Sequence, residues 1–271
     1  MEEINLTVLG SGGATPTPRP FCQCEICDKA RRLGEPYKRN SCSLFIDEIN
    51  TVIDCGEDIA DSLNRRNIVS VDSLFITHWH PDHTFGLRPL LEANFDFETQ
   101  KAKKTIDVYI PKKVFERLKL EFSAVTYMFD IQKIGKLHLV EDGDVIELGS
   151  VSIEVVGYDG KESDTYAYLI SKEEKKVLYA ACDTEDFVNY KNFHNLDLLI
   201  NECGLFSNDD SEISFKNLIS RIKETKPKKT ILTHIEESEI RIQGDGCLDR
   251  MKEKYADVTF DFASDGMRIV V

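Results

Sequence analysis

Residues 73–83 read Ser73-Leu74-Phe75-Ile76-Thr77-His78-Trp79-His80-Pro81-Asp82-His83. A short apolar run bounded by polar residues reads as a buried strand. Here it empties into four metal-ligating side chains within six positions. Three of the chain's six histidines fall in this stretch, a density out of proportion for a solvated loop. On an extended backbone His78 and His80, two positions apart, point to the same side. Pro81 ends that geometry and lets Asp82 and His83 turn toward a neighbouring point. Two imidazoles for one ion, and a carboxylate plus an imidazole for a second, suit borderline first-row cations such as zinc, manganese or iron.

Working outward, similar apolar runs recur on both sides. Ile4–Leu9, Ser43–Ile46, Thr51–Ile53 and Ile106–Ile110 read as strands, as do Val145–Leu148, Val151–Val156, Tyr166–Ile170 and Val177–Ala181. Leu196–Ile200, Thr230–Leu232, Val258–Phe262 and Met267–Val271 complete the set. Helical periodicity marks Glu25–Leu33, Glu57–Arg66, Thr84–Leu91, Pro111–Phe122, Ser214–Thr225 and Gly246–Tyr255. Lys226-Pro227 ends the fifth of these, and the polar insert Glu92–Lys104 reads as a rim or lid loop. The pattern predicts one α/β domain over residues 1–271, with two packed sheets and helices outside. Two strands end on further ligands: Val177–Ala181 leads through Cys182 to Asp183, and Thr230–Leu232 leads through Thr233 to His234. The carboxyl ends of strands are where α/β folds gather their sites. Either residue alone is a common turn or cap residue; with the first cluster they make a ligand set.

Composition narrows the function. With 34 Lys+Arg against 48 Asp+Glu the formal charge is −14, which argues against a protein that clamps long nucleic acid through a basic face. Nothing approaches a membrane span. The start, Met1–Leu9, lacks a basic n-region followed by an apolar core, so a cytoplasmic location with reduced cysteines is expected. Cys22, Cys24 and Cys27 place three thiols within six residues after the Pro-rich Thr15–Pro20 turn. Three soft ligands fit a structural zinc that needs a fourth partner; a redox pair at Cys24 and Cys27 is the rival reading.

The His78–His83 pattern, Asp183 and His234, in that order and at those strand ends, resemble the metallo-β-lactamase superfamily. The resemblance runs from Leu9-Gly10-Ser11-Gly12-Gly13 to Asp265-Gly266-Met267. Within the superfamily the chain is most similar to the PhnP branch of cyclic phosphodiesterases, through Gly10–Ala14, Cys22-Gln23-Cys24-Glu25-Ile26-Cys27 and Tyr37-Lys38-Arg39-Asn40-Ser41-Cys42-Ser43. It implies an αββα four-layer sandwich carrying a Cys-rich zinc loop at about residues 15–42. It also implies two divalent metals: His78, His80 and Asp183 for the first, and Asp82, His83, His234 and Asp183 for the second. Asp82 or Asp183 would orient the attacking water as the catalytic carboxylate. Asp54, in Asp54-Cys55-Gly56, would brace the histidines from behind, as carboxylates do, a turn residue only being the alternative.

The sequence departs from the family in three places. A metal-one histidine is expected in the loop before Thr165–Ile170, yet no His occurs between His138 and His194. Asp159 is the expected oxygen substitute, a plain turn residue the alternative, and Lys161 offers an ammonium instead; a first metal site that is weak, oxygen-rich or absent is then expected. A leaving-group histidine is expected after Leu198–Glu202, where Cys203-Gly204-Leu205-Phe206-Ser207 has none. In PhnP-like proteins a histidine three residues beyond the one matching His234 completes the structural zinc. Here Glu237 stands at that position, and Cys247 is the alternative.

These readings converge on a metal-dependent hydrolase, a phosphodiesterase acting on small cyclic phosphates or nucleotides. Its cofactors would be two active-site cations (zinc, manganese or iron) and one structural zinc. Its expected partner is a small phosphorylated substrate, without membrane or nucleic acid, and a homodimer is the assembly to test. Two alternatives stand beside it: a degraded-site accessory protein resembling the PQQ-biosynthesis B proteins, and an RNA endonuclease of the tRNase Z type.

Overall fold

The computed structural model describes residues 3–207 and 212–271, so the first two residues of the Met1–Leu9 start lie outside it. The first half of the chain contributes β1 (Asn5–Gly10), β2 (Ser43–Ile46), β3 (Thr51–Ile53) and β4 (Ser73–Phe75). A small hairpin follows, β5 (Phe95–Asp96) and β6 (Lys101–Ala102), then β7 (Ile106–Pro111) and β8 (Gly135–Val140). The second half contributes β9 (Val145–Leu148), β10 (Val151–Gly157), β11 (Tyr166–Lys172), β12 (Lys175–Ala180), β13 (Leu198–Glu202), β14 (Thr230–Thr233) and β15 (Asp261–Phe262). The last strand, β16 (Arg268–Val270), returns to pair with β1.

Among the described residues these strands form two seven-stranded sheets, ordered β16-β1-β2-β3-β4-β7-β8 and β15-β14-β13-β12-β11-β10-β9. In each sheet one side is antiparallel and the other parallel: β3, β4, β7 and β8 run parallel in the first, β12 to β15 in the second. Parallel strands demand crossover connections, and helices supply most of them. The helices are α1 (Glu25–Leu33), α2 (Ile59–Arg65), α3 (Pro81–Thr84), α4 (Leu87–Glu92), α5 (Lys112–Glu121), α6 (Ala124–Thr126), α7 (Phe215–Thr225), α8 (Glu237–Gln243) and α9 (Cys247–Lys254).

Apolar alternation explains the layering. One buried cluster joins both sheets, with Leu6, Leu44, Phe75 and Val108 from the first packed with Ile153, Tyr168, Tyr179 and Ile200 from the second; Val114, Phe115 and Leu118 of α5 belong to it too. A second cluster covers the outer face of the second sheet, where Leu178, Leu199 and Leu232 meet α7 and α8. Helix α7 shows the local logic. Ser214 caps it by accepting from the Asn217 N–H, and Phe215, Leu218, Ile219 and Ile222 bury one stripe. Lys226 in the left-handed region then closes it before Pro227. The expected αββα sandwich is thus the fold.

Several local expectations need correction. The strand before the histidines stops at Phe75, so His78 and His80 lie beyond it in irregular backbone, with bends at Thr77 and Trp79. Pro81 does not merely stop a strand: it opens α3 at its first position, where the missing N–H costs nothing. The helix expected over Thr84–Leu91 is split between α3 and α4. Gly86 sits at the split, where a Cβ would lie 2.3 Å from the Gly56 carbonyl oxygen and 2.5 Å from Ile59. The 92–104 insert, expected as a loop, holds the β5–β6 hairpin. Helix α8 had too few apolar positions to be seen: only Glu237, Glu239 and Ile240 of its residues are buried.

Candidate metal centre

Four strand ends deliver the site, that of β4 carrying His78, His80, Asp82 and His83. Asp54 follows β3, Asp183 follows β12 and His234 follows β14, each in the left-handed backbone region (φ 62°, 48° and 52°). Such φ values are costly for residues other than glycine and persist where surrounding contacts fix them. The two sheets are stitched at this edge, the Tyr166 N–H donating to the Thr77 carbonyl at 3.1 Å and the Tyr168 hydroxyl to that of Ile76 at 2.5 Å.

His78, His80 and Asp183 bring one ligand atom each within 4.8 Å of the others, and so do Asp82, His83 and His234. The two trios adjoin where the His78 and His83 rings lie 4.1 Å apart. Asp82 Oδ2 stands 3.1 Å from His83 Nε2 and 3.3 Å from His234 Nε2, and Asp183 Oδ2 is 3.9 Å from His78 Nε2. Asp54, fully buried, takes the Thr77 N–H on Oδ1 and both the Thr77 hydroxyl and His83 Nδ1 on Oδ2, all at 2.8 Å. With Nδ1 so engaged, His83 presents Nε2 to Asp82 and the cluster. Cys182 Sγ lies 3.2 Å from His78 Nδ1 and backs that ring in the same way.

The electrostatics fit a cation. Burial, reinforced by the neighbouring imidazoles His83 and His80, keeps His78 neutral by pushing its pKa well down. Burial also opposes charge on His83, yet Asp82 and Asp54 outweigh it and hold that imidazole up at about 10. His234 is raised in the same manner by Asp82, Glu212 and Glu236 against the penalty of burial. Burial would raise Asp82, but His83 and His234 pull it far below the usual carboxylate range. Protons thus take the place a metal ion's charge would fill. His83 Nε2 and His234 Nδ1 are buried atoms with no hydrogen-bond partner among the described residues. Imidazole and carboxylate donors, three to a trio, match a catalytic zinc site that keeps one position open.

The cysteine loop forms its own cluster. Cys22, Cys24 and Cys27 Sγ approach Glu237 Oε1 at 3.9, 3.5 and 3.3 Å. Glu237 is fully buried, and its Oε2 lacks a hydrogen bond. Burial pushes the Cys27 thiol up to about 12, so a soft cation must displace its proton. Between the two candidate fourth ligands the structure brings Glu237 and not Cys247, which is buried elsewhere against the outer helices.

Asp159 requires a correction. It is exposed, precedes the 3-10 turn Gly160–Glu162, and joins no ligand group among the described residues. The turn residue wins because Tyr158, just before it, is the one drawn inward, its hydroxyl donating to the Cys182 carbonyl at 2.6 Å. Lys161 is also exposed, beside Lys112 and Lys113 in a surface groove. Sequence reasoning missed Glu202 and Glu212, which with His234 make a further group within 4.8 Å. Burial raises both carboxyls, that of Glu212 to about 8, with His234 countering. The signal for Glu202 was present: an acidic residue closing an otherwise apolar parallel strand, as at the ends that carry Asp183 and His234.

A family model described as a β-lactamase superfamily domain matches residues 50–235. Ribonuclease Z of Shouchella clausii (strain KSM-K16) is 29% identical over 152 residues, which is 52% of this chain and 46% of that protein. The chain thus spans less than half the length of that curated relative. Among solved structures, a diphosphatase from the PhnP family superposes with a TM-score of 0.74 at 21% identity, covering 98% of this chain and 97% of the other. Zn2+-bound PqqB from Methylobacterium extorquens gives 0.79 at 14% identity, covering 98% and 99%. At these identities the structural likeness is one of fold. The matched segment 50–235 includes every residue of both trios, and the chain belongs to the metallo-β-lactamase superfamily.

Proposed function

We propose that this hydrolase-family protein cleaves phosphodiesters, with small cyclic phosphates or nucleotides as substrates and zinc or manganese as the active-site cations. The observation that carries the reading is the adjoining pair of trios, His78–His80–Asp183 and Asp82–His83–His234. Divalent cations there supply Lewis acidity toward phosphoryl oxygens and make water more acidic. The chain supplies position. Asp54 and Cys182 hold His83 and His78 by their Nδ1 atoms, leaving Nε2 directed at the cluster. Asp183, whose side chain is 35% exposed, and the partly exposed His80 form the solvent side where a substrate enters. Asp82 and Asp183 are the carboxylates available to orient a nucleophile. The segment 203–207 carries no imidazole, and its Cys203 thiol is buried with its pKa pushed well up. No histidine there protonates a departing alkoxide, so diesters with good leaving groups react fastest.

A second reading, RNA cleavage, is favoured by the 29% identity to a ribonuclease Z and opposed by the −14 charge. The test loads metal-stripped protein with Mn2+ or Zn2+ and offers bis-p-nitrophenyl phosphate, 2′,3′-cyclic nucleotides and precursor tRNA. Turnover of the small diesters, lost by more than about 100-fold in His80→Ala, is expected, because even outer partners of metal ligands are worth 10–100-fold. Cleavage of precursor tRNA alone would move the assignment to RNA processing, and inertness with every metal to an accessory role.

A further inference from the structure

Beside the two trios lie two carboxyl groups that the hydrolytic reading does not use. Glu202 closes β13, Glu212 lies just before α7, and together with His234 they converge within 4.8 Å. Glu202 is 0% exposed. Its Oε1 is held by the N–H and the hydroxyl of Thr184, while its Oε2 has no hydrogen-bond partner among the described residues. Glu212 Oε2 and His234 Nδ1 are likewise buried and without a hydrogen-bond partner among the described residues, and His234 as a whole is 5% exposed. The Nε2 atom of His234 is the one 3.3 Å from Asp82, which leaves Nδ1 for this second group. Glu236 Oε1 lies 3.6 Å from Nδ1 but is taken by the Ala14 N–H at 2.7 Å.

Three orphaned polar atoms in one buried place call for a shared partner. A single water would satisfy the hydrogen bonds but would place no positive charge beside the two glutamates. No lysine or arginine is among the strongest influences on either glutamate; His234 is the favourable charge, and Asp183 adds repulsion to both. A cation answers both needs, and two carboxylate oxygens with one imidazole nitrogen suit Mn2+ or Zn2+. We propose that Glu202, Glu212 and His234 hold a third divalent cation, with His234 giving up its ring protons to bridge, as an imidazolate, between it and the Asp82–His83 trio. It would place positive charge at the carboxyl end of β13, next to the segment that lacks an imidazole. The inference rests on the metal-centre reading only through His234.

The test counts metal. Full-length protein is stripped by chelator, dialysed against Mn2+ or Zn2+, and its bound metal measured by plasma emission. Crystals soaked in Mn2+ are examined for anomalous scattering. Glu212→Gln is expected to lose one ion per chain and its anomalous peak while keeping the others, and His80→Ala to lose a different one. His234→Ala, which removes the shared ligand, should lose two. Glu212→Gln with unchanged stoichiometry, and no peak between Glu202 and Glu212 in the parent protein, overturns the proposal. Loss of an ion in Glu212→Gln but not in His80→Ala would instead spare it and sink the first trio. Circular dichroism of Glu212→Gln confirms folding; should that variant fail to fold, the anomalous map of the parent protein decides alone.

Discussion

Asp54→Asn is the substitution whose outcome depends most directly on the geometry of the centre. Three donors converge on the two Asp54 oxygens at 2.8 Å: the Thr77 N–H, the Thr77 hydroxyl and His83 Nδ1. Asparagine preserves the shape and tolerates the left-handed backbone (φ 62°), so strain does not confound the result. It offers only one acceptor oxygen. If its amide nitrogen faces His83, Nδ1 must become the acceptor and the ring proton moves to Nε2, the atom directed at Asp82. If the amide faces Thr77 instead, a buried backbone N–H loses its partner, at about 1–3 kcal/mol. The first arrangement weakens cation binding by roughly 10–100-fold, the usual worth of a ligand's outer partner, or about 1.4–2.7 kcal/mol. Competition of the protein with a chromophoric chelator for Mn2+ reads this directly. The loss should be confined to the His83 trio, with the Cys22–Cys24–Cys27–Glu237 site unaffected. Thr77→Val removes one donor but keeps the Asp54–His83 bond, so its loss should stay below about tenfold. Wild-type affinity and stability in Asp54→Asn would refute the claim that this carboxylate sets the His83 tautomer.

Zinc entering the cysteine site must displace the proton that Cys27 holds up to about 12. Binding at neutral pH should therefore release protons and tighten as pH rises, which calorimetry in buffers of different ionisation enthalpy measures. Cys27→Ser or prolonged chelation should lower Tm. Even about 2 kcal/mol of coupling moves a chain of this size by roughly 4–8 °C, and no shift would remove the structural role. Asp159→Ala should leave metal stoichiometry unchanged, because its exposed side chain reaches neither trio.

The strands and the His78–His83 cluster were legible because both are local signals. Apolar runs such as Leu198–Ile200 betray burial, and ligands two to six positions apart need no knowledge of the rest of the chain. What sequence could not give was which loops meet. Asp159 and Glu212 are both acidic loop residues; one faces solvent and the other faces His234, and nothing in their neighbours' polarity separates them. Helix α8 stayed hidden for a related reason: it buries Glu237 and Glu239 instead of an apolar stripe. Glu237 turns inward to the thiols, while Glu239 accepts from the Phe206 and Ser207 N–H groups at 2.7 and 2.8 Å. A helix whose inward face is acidic has no hydrophobic period to detect.

The same acidic inward surfaces explain why the centre sits at the seam between the sheets. Parallel strands end together, so β4 on one side and β12, β13 and β14 on the other bring Asp82, Asp183, Glu202 and His234 to the same edge. An apolar core cannot absorb Asp82, Asp183, Glu202 and His234 there, since unpaired charge in low dielectric is strongly unfavourable. Left-handed φ at Asp54, Asp183 and His234 turns each chain abruptly after its strand, which aims these groups at one another instead of at solvent. Mutual imidazole–carboxylate contacts offset part of the cost, as the raised His83 and depressed Asp82 show. Protons on His83 and His234 stand where a metal ion's charge would be, and a multivalent cation entering the seam would displace them.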